Sequence, residues 1–165
     1  MALAKHGMHV DVGGFVEDYP ERKGDAHFCL VPAGTSPWTN HLYESFYAGC
    51  IPVILSDEYE VAFLDDLDWP SFSIKWPEAE VGDTLYSYLM DLTQFYPQKV
   101  ADMKASLERH ACWLNWYSTD AGCNPYVLIH RRLARLRQWR SSKPRFWNVD
   151  AEKLGSSVDE PPLVF

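Results

Sequence analysis

The sequence predicts a single α/β domain of the doubly wound kind, on three observations. Two short apolar runs, residues 27–31 and 51–55, have the length of buried strands and are bounded by turn residues. Between them lie a loop of small residues and one amphipathic segment, the strand, loop, helix, strand order of a parallel β-α-β unit. The chain has 165 residues, 47% hydrophobic and 23% charged, which fits one globular domain and excludes a disordered one.

Taken in order, residues 9–12 form a short strand-like run ending at Gly13 and Gly14, and residues 18–25 are polar and turn-rich. Residues 27–31 read as a buried strand stopped by Pro32. Residues 33–37 are a loop, and Thr39 is placed to cap a helix that runs to Ala48 and ends at Gly49. The strand at 51–55 carries Pro52 near its start, where a missing N–H is tolerated. Residues 72–76 alternate and predict a third strand.

The remainder predicts helices. Asp83 caps one with Leu85, Leu89 and Leu92 on a single face. Pro97 opens a second with Val100, Met103, Leu107 and Leu114 at helical spacing. Asn124 and Pro125 open a third, with Ile129, Leu133 and Leu136 facing one way and Arg131, Arg132, Arg135 and Arg137 largely elsewhere. The domain is therefore set at residues 1–140, and residues 141–165 are expected to form a loosely held polar tail.

Net charge is -8, which argues against nucleic acid as a partner, because phosphate binding needs a basic face. The charge is uneven. Residues 130–165 hold eight Lys/Arg and four Asp/Glu, net +4, so residues 1–129 are net -12. A charged helix face is ordinarily a solvated one. No run reaches the roughly 18 apolar residues of a membrane span, and residues 1–7 carry no apolar leader. As it stands, the chain reads as a soluble cytosolic domain or as a piece of a longer protein.

Four cysteines occur, at 29, 50, 112 and 123, with no CxxC and no His at zinc-finger spacing, so no metal site is expected. Cys29 and Cys50 lie inside apolar runs and read as buried structural thiols. Cys112 and Cys123 flank a turn; whether they pair depends on the redox compartment.

In doubly wound domains ligands bind outside the carboxyl ends of the strands. That places a site at residues 32–40 and near Ser56 and Asp57. Gly34 lets backbone approach a ligand, while Thr35, Ser36 and Thr39 offer hydroxyls. A helix N-terminus favours an anion such as a diphosphate, although a capped helix start that binds nothing has the same pattern. The loop is neither a Walker motif nor GxGxxG, so neither ATP nor a nicotinamide is indicated. Glu44 sits among Leu42, Tyr43, Phe46 and Tyr47, where its carboxylate suits a ribose diol or simply faces solvent. His41 lies three residues earlier, on the same face.

Phe28, Cys29, Leu30, Val31 and Pro32, then Leu42, Tyr43, Glu44 and Ser45, then residues 48–54 and Ser56 with Asp57, resemble the signature of the exostosin glycosyltransferases, glycosyltransferase family 47. The likeness continues through Phe63, Leu67, Asp68 and Trp69 to Phe72, Ser73 and Ile74, and covers about residues 6–92. It implies a Rossmann-like domain, the C-terminal, donor-binding half of a GT-B enzyme. It further implies an inverting transfer from a UDP-sugar to a glycan or glycoprotein acceptor, no metal, and the luminal side of the Golgi membrane. By that match Glu44 is the donor-ribose ligand, and Gly34, Thr35, Asn40 and His41 lie at the diphosphate. Asp57 follows a strand end, where it can touch the sugar.

Family members commonly carry a basic residue, often Arg, where this chain has His41, and often Pro where it has Ala62. The acceptor groove and general base of such an enzyme belong to an N-terminal half that is not in these residues, so no catalytic base is assigned. Asp66, Leu67 and Asp68 spell DxD, a metal-nucleotide motif of the other major glycosyltransferase fold, and no metal is expected there. The competing expectation is a catalytically inactive nucleotide-binding or protein-interaction module derived from the family.

Overall fold

The structure is a computed structural model, which describes Val10, residues 17–135, Trp147 and Asn148. The strand expected at 9–12 lies outside the described residues, Val10 apart. The described chain is mixed α/β. Strands β1 (Phe28–Pro32), β2 (Ile51–Leu55) and β3 (Ile74–Lys75) form one parallel sheet in that spatial order. Helices α1 (Tyr19–Asp25), α2 (His41–Ala48), α3 (Asp83–Phe95), α4 (Pro97–Ala111) and α5 (Pro125–Arg135) surround it.

β1 and β2 pair from Phe28 with Ile51 to Pro32 with Leu55, and α2 is the crossover between them. This is the β-α-β unit that the two apolar runs predict. All five residues of β2 are buried, as a central strand covered on both faces must be. Its alternation sorts the core. Ile54 packs with Val31 of β1 and with Leu42 and Phe46 of α2, while Ile51, Val53 and Leu55 pack with Leu85 and Leu92 of α3 and Val100 and Met103 of α4. β3 is shorter than predicted because pairing is confined to Val53 with Ile74 and Ile54 with Lys75, continued by the Trp76 N–H on the Ile54 carbonyl. Residues 72–77 are buried throughout, so their alternation does not separate a wet face from a dry one.

Helix ends differ from expectation in small ways. Gly49 ends α2 in the left-handed region, φ 69°, its amide on the Phe46 carbonyl. α2 begins at His41, and the Thr39 hydroxyl accepts the His41 N–H at 3.3 Å. Gly82, not Asp83, occupies the N-cap of α3; Asp83 is the first helical residue, where its charge suits the helix dipole. In α5 the Asn124 Oδ1 accepts the Val127 N–H. The buried face of α5 is set by Leu128, 1% exposed, whereas Leu133 is 64% exposed and Leu136 lies outside the described residues. The expected face is thus one residue out of phase at Ile129, because the helix docks through Leu128 against Leu107 and Leu114.

Two disulfides are present, Cys29–Cys50 and Cys112–Cys123. The first corrects the reading of Cys29 and Cys50 as buried thiols. They are buried, but the pairing of Phe28 with Ile51 brings their Cα atoms to 5.7 Å, inside bridging range. In the tail read as loosely held, the two described residues, Trp147 and Asn148, are both anchored. Trp147 is 4% exposed, forms an antiparallel bridge with Lys75, and donates its indole N–H to the Ser73 hydroxyl at 2.9 Å. Asn148 donates to the carbonyls of Pro70 and Ser73. Among the described residues no helix is long and apolar enough to cross a membrane.

Candidate functional site

The first turn of α2 stands at the carboxyl end of β1, where α1 packs against it. α1 runs parallel to α2. A Cβ at Gly24 would meet the Ala48 carbonyl at 3.8 Å, while Tyr19, at the other end of α1, reaches His41. This close approach brings four polar side chains together: Tyr19 and Lys23 from α1, His41 and Glu44 from α2. Lys23 is buried, and its three N–H donors all have acceptors: Tyr19 Oη at 3.0 Å, Glu44 Oε2 at 3.1 Å and the His41 carbonyl at 3.3 Å. Tyr19 Oη lies 2.7 Å from His41 Nδ1 and 3.1 Å from Glu44 Oε2, and Nδ1 is 3.3 Å from Oε2.

The electrostatics follow from those contacts. Partial burial works against the charged form of Glu44. The hydrogen bond and charge of Lys23 outweigh it, aided by Tyr19 and His41, and hold the carboxyl below the ordinary glutamate range. Glu44 is therefore an ionised acceptor at neutral pH. Oε2 is occupied; Oε1 has no hydrogen bond among the described residues, and neither does His41 Nε2. Both side chains are about half exposed.

The other predicted residues are placed as follows. Gly34, Thr35 and Asn40 lie exposed on the loop leading into α2. The Gly34 amide donates to the Ser36 carbonyl, and the amides of Tyr43 and Glu44 donate to the Asn40 carbonyl. With the His41 amide on Thr39, three amides at the start of α2 are already committed. Asp57 is not part of the cluster. It makes a reciprocal pair with Glu78: Asp57 Oδ1 accepts the Glu78 N–H at 2.9 Å, and the Asp57 N–H donates to Glu78 Oε1 at 3.1 Å. Among the described residues no group of three metal-ligating side chains occurs.

Sequence reasoning missed Tyr19 and Lys23. Their signal is faint: Pro20 after Tyr19 can open a helix, and Tyr19 and Lys23 then share a face at i and i+4.

A parallel strand-helix-strand unit defines an α/β domain, and the charged side chains gathered over the first turn of its connecting helix are its candidate site. The model of the exostosin GT47 domain matches residues 4–92, and the chain belongs to that family of glycosyltransferases. It is 34% identical to exostosin-2 of Homo sapiens over 154 residues, 90% of this chain and 20% of that protein. It is 30% identical over 93 residues to a "probable glycosyltransferase" of Arabidopsis thaliana, covering 56% of this chain and 20% of the relative. It is 42% identical over 55 residues to the "probable glucuronoxylan glucuronosyltransferase IRX7" of the same plant, 33% of this chain and 12% of the relative. The chain thus spans a fifth or less of the length of these relatives.

Proposed function

We propose that this domain is the nucleotide-sugar-binding half of an inverting, UDP-sugar-dependent glycosyltransferase of GT-B architecture, acting on a glycan or glycoprotein acceptor. The observation that carries the proposal is the pairing of an ionised carboxylate, Glu44, with a neighbouring imidazole, His41, each with one polar atom that makes no hydrogen bond among the described residues, at the carboxyl end of a parallel strand. Glu44 Oε1 accepts from the ribose hydroxyls. His41 Nε2 faces the diphosphate, with Thr35, Asn40 and the backbone at Gly34 around it. Asp57, at the end of the next strand, approaches the sugar with Oδ2, which has no hydrogen bond among the described residues.

In the transfer, an acceptor hydroxyl oxygen bonds to the anomeric carbon as the bond from that carbon to the UDP oxygen breaks. UDP leaves with the electron pair, and this domain stabilises its growing charge. The acceptor's proton goes to a base on an N-terminal half outside these residues. The two disulfides support an oxidising compartment, which suits the lumen of the Golgi. A second reading, an inactive nucleotide-binding or protein-interaction module derived from the family, is favoured by the histidine at 41 where a permanent cation is common.

Titrating UDP into the chain by calorimetry, with and without EDTA, tests the proposal. Binding that survives chelation is expected, because the charge partners are side chains. Absence of binding, or binding only with a divalent metal, contradicts it.

A further inference from the structure

Lys23 is a lysine buried to 8% exposure on a seven-residue helix, an expensive place for an ammonium unless something uses it. All its donors converge on the two residues of the candidate site, directly or through Tyr19. It grips Glu44 by Oε2 and the backbone of His41 by its carbonyl, while Tyr19 grips His41 by Nδ1. In each pair the other atom of the same group, Oε1 or Nε2, makes no hydrogen bond among the described residues.

We propose that Lys23 and Tyr19 are positioning residues for nucleotide binding: they clamp Glu44 and His41 so that Oε1 and Nε2 are presented in one fixed relation to a ribose and its diphosphate. The proposal rests on the donor-binding reading above. The clamp lowers the rotamer freedom that two half-exposed side chains would otherwise lose on binding. On this proposal neither Lys23 nor Tyr19 touches the ligand, and their whole effect on binding passes through Glu44 and His41.

A double-mutant cycle on UDP affinity tests this, with Lys23→Met, Glu44→Ala and the pair. Lys23→Met keeps the apolar stem and removes the cation. It is expected to weaken UDP binding about tenfold, and to weaken Glu44→Ala by less than that, since only the route through His41 remains. Carbon-13 titration of the Glu44 carboxyl, without ligand, should show its midpoint move up in Lys23→Met. Tyr19→Phe removes one partly exposed hydroxyl, so it keeps the test available should Lys23→Met fail to fold; it should weaken binding about threefold, and not further in combination with Glu44→Ala and His41→Gln together. Wild-type affinity in both Lys23→Met and Tyr19→Phe, or losses that multiply in the double variant, overturn the positioning role. Unchanged affinity in Glu44→Ala overturns the donor-binding reading instead, and the positioning role falls with it.

Discussion

Lys23 Nζ lies 3.1 Å from Glu44 Oε2, yet the two side chains differ sharply in exposure, 7% for the lysine and 46% for the glutamate. The pair joins α1 to α2, so it couples the protonation of an accessible carboxylate to the docking of a helix. The folded-state pKa of Glu44 is depressed below its ordinary value of 4.5. Its contribution to stability is therefore complete above that value and is lost as pH falls through the folded-state value. Below it, Lys23 keeps its charge and loses its anion. Comparing urea midpoints at about pH 6 and about pH 3.5, wild type should lose more stability than Glu44→Gln. The difference should be modest, because Glu44 is half exposed and screened. Equal losses in the two proteins would contradict the pairing.

The disulfides should matter more. By chain entropy alone, bridges closing loops of these lengths, with sequence separations of 21 and 11, each stabilise by about 3 kcal/mol. Replacing Cys29 and Cys50 together with Ala should lower stability by about that much in chemical denaturation. Reductant should shift the wild-type midpoint downward and leave a variant lacking all four cysteines unmoved. A wild-type midpoint indifferent to reductant would refute both bridges.

The phase of α5 is open to a direct check. Leu128 is 1% exposed and Leu133 is 64% exposed. Leu128→Ala should cost about 2–5 kcal/mol, as a cavity-forming truncation does. Leu133→Ala should stay within about 0.5 kcal/mol. The reverse order would restore the face read from sequence.

What the sequence reveals and what it hides divide along physical lines. The strand-helix-strand unit is legible because its apolar runs and the Gly49 stop are local signals. The Cys29–Cys50 bridge is not, since it needs the register of two strands, and each cysteine alone looks like any buried thiol. Glu44 and His41 stand out because they share a helix face; Tyr19 and Lys23 do not, because their partners are over 15 residues away and only the packing of α1 on α2 joins them. Asp57 was visible as a strand-end carboxylate, but its link to Glu78 is a tertiary contact across 21 residues. For α5, periodicity established a helix, while the choice between Leu128 and Ile129 as the inward position was made by the surface it meets.

The side chain at position 41 gives a second handle on the ligand. With His41 facing a diphosphate, His41→Arg should bind UDP more tightly, since guanidinium is a permanent cation with a bidentate fork. An affinity unchanged in His41→Arg would place position 41 away from the phosphates.

The most direct test of the central claim is the UDP affinity of Glu44→Ala measured by calorimetry against wild type, with the fold checked by circular dichroism. A carboxylate that accepts from the ribose should cost about 1.5–3 kcal/mol when removed, a loss of roughly tenfold to a hundredfold. Glu44→Gln should lose less, because its amide oxygen still accepts. An unchanged affinity in a folded Glu44→Ala would contradict the claim that this cluster is the donor site.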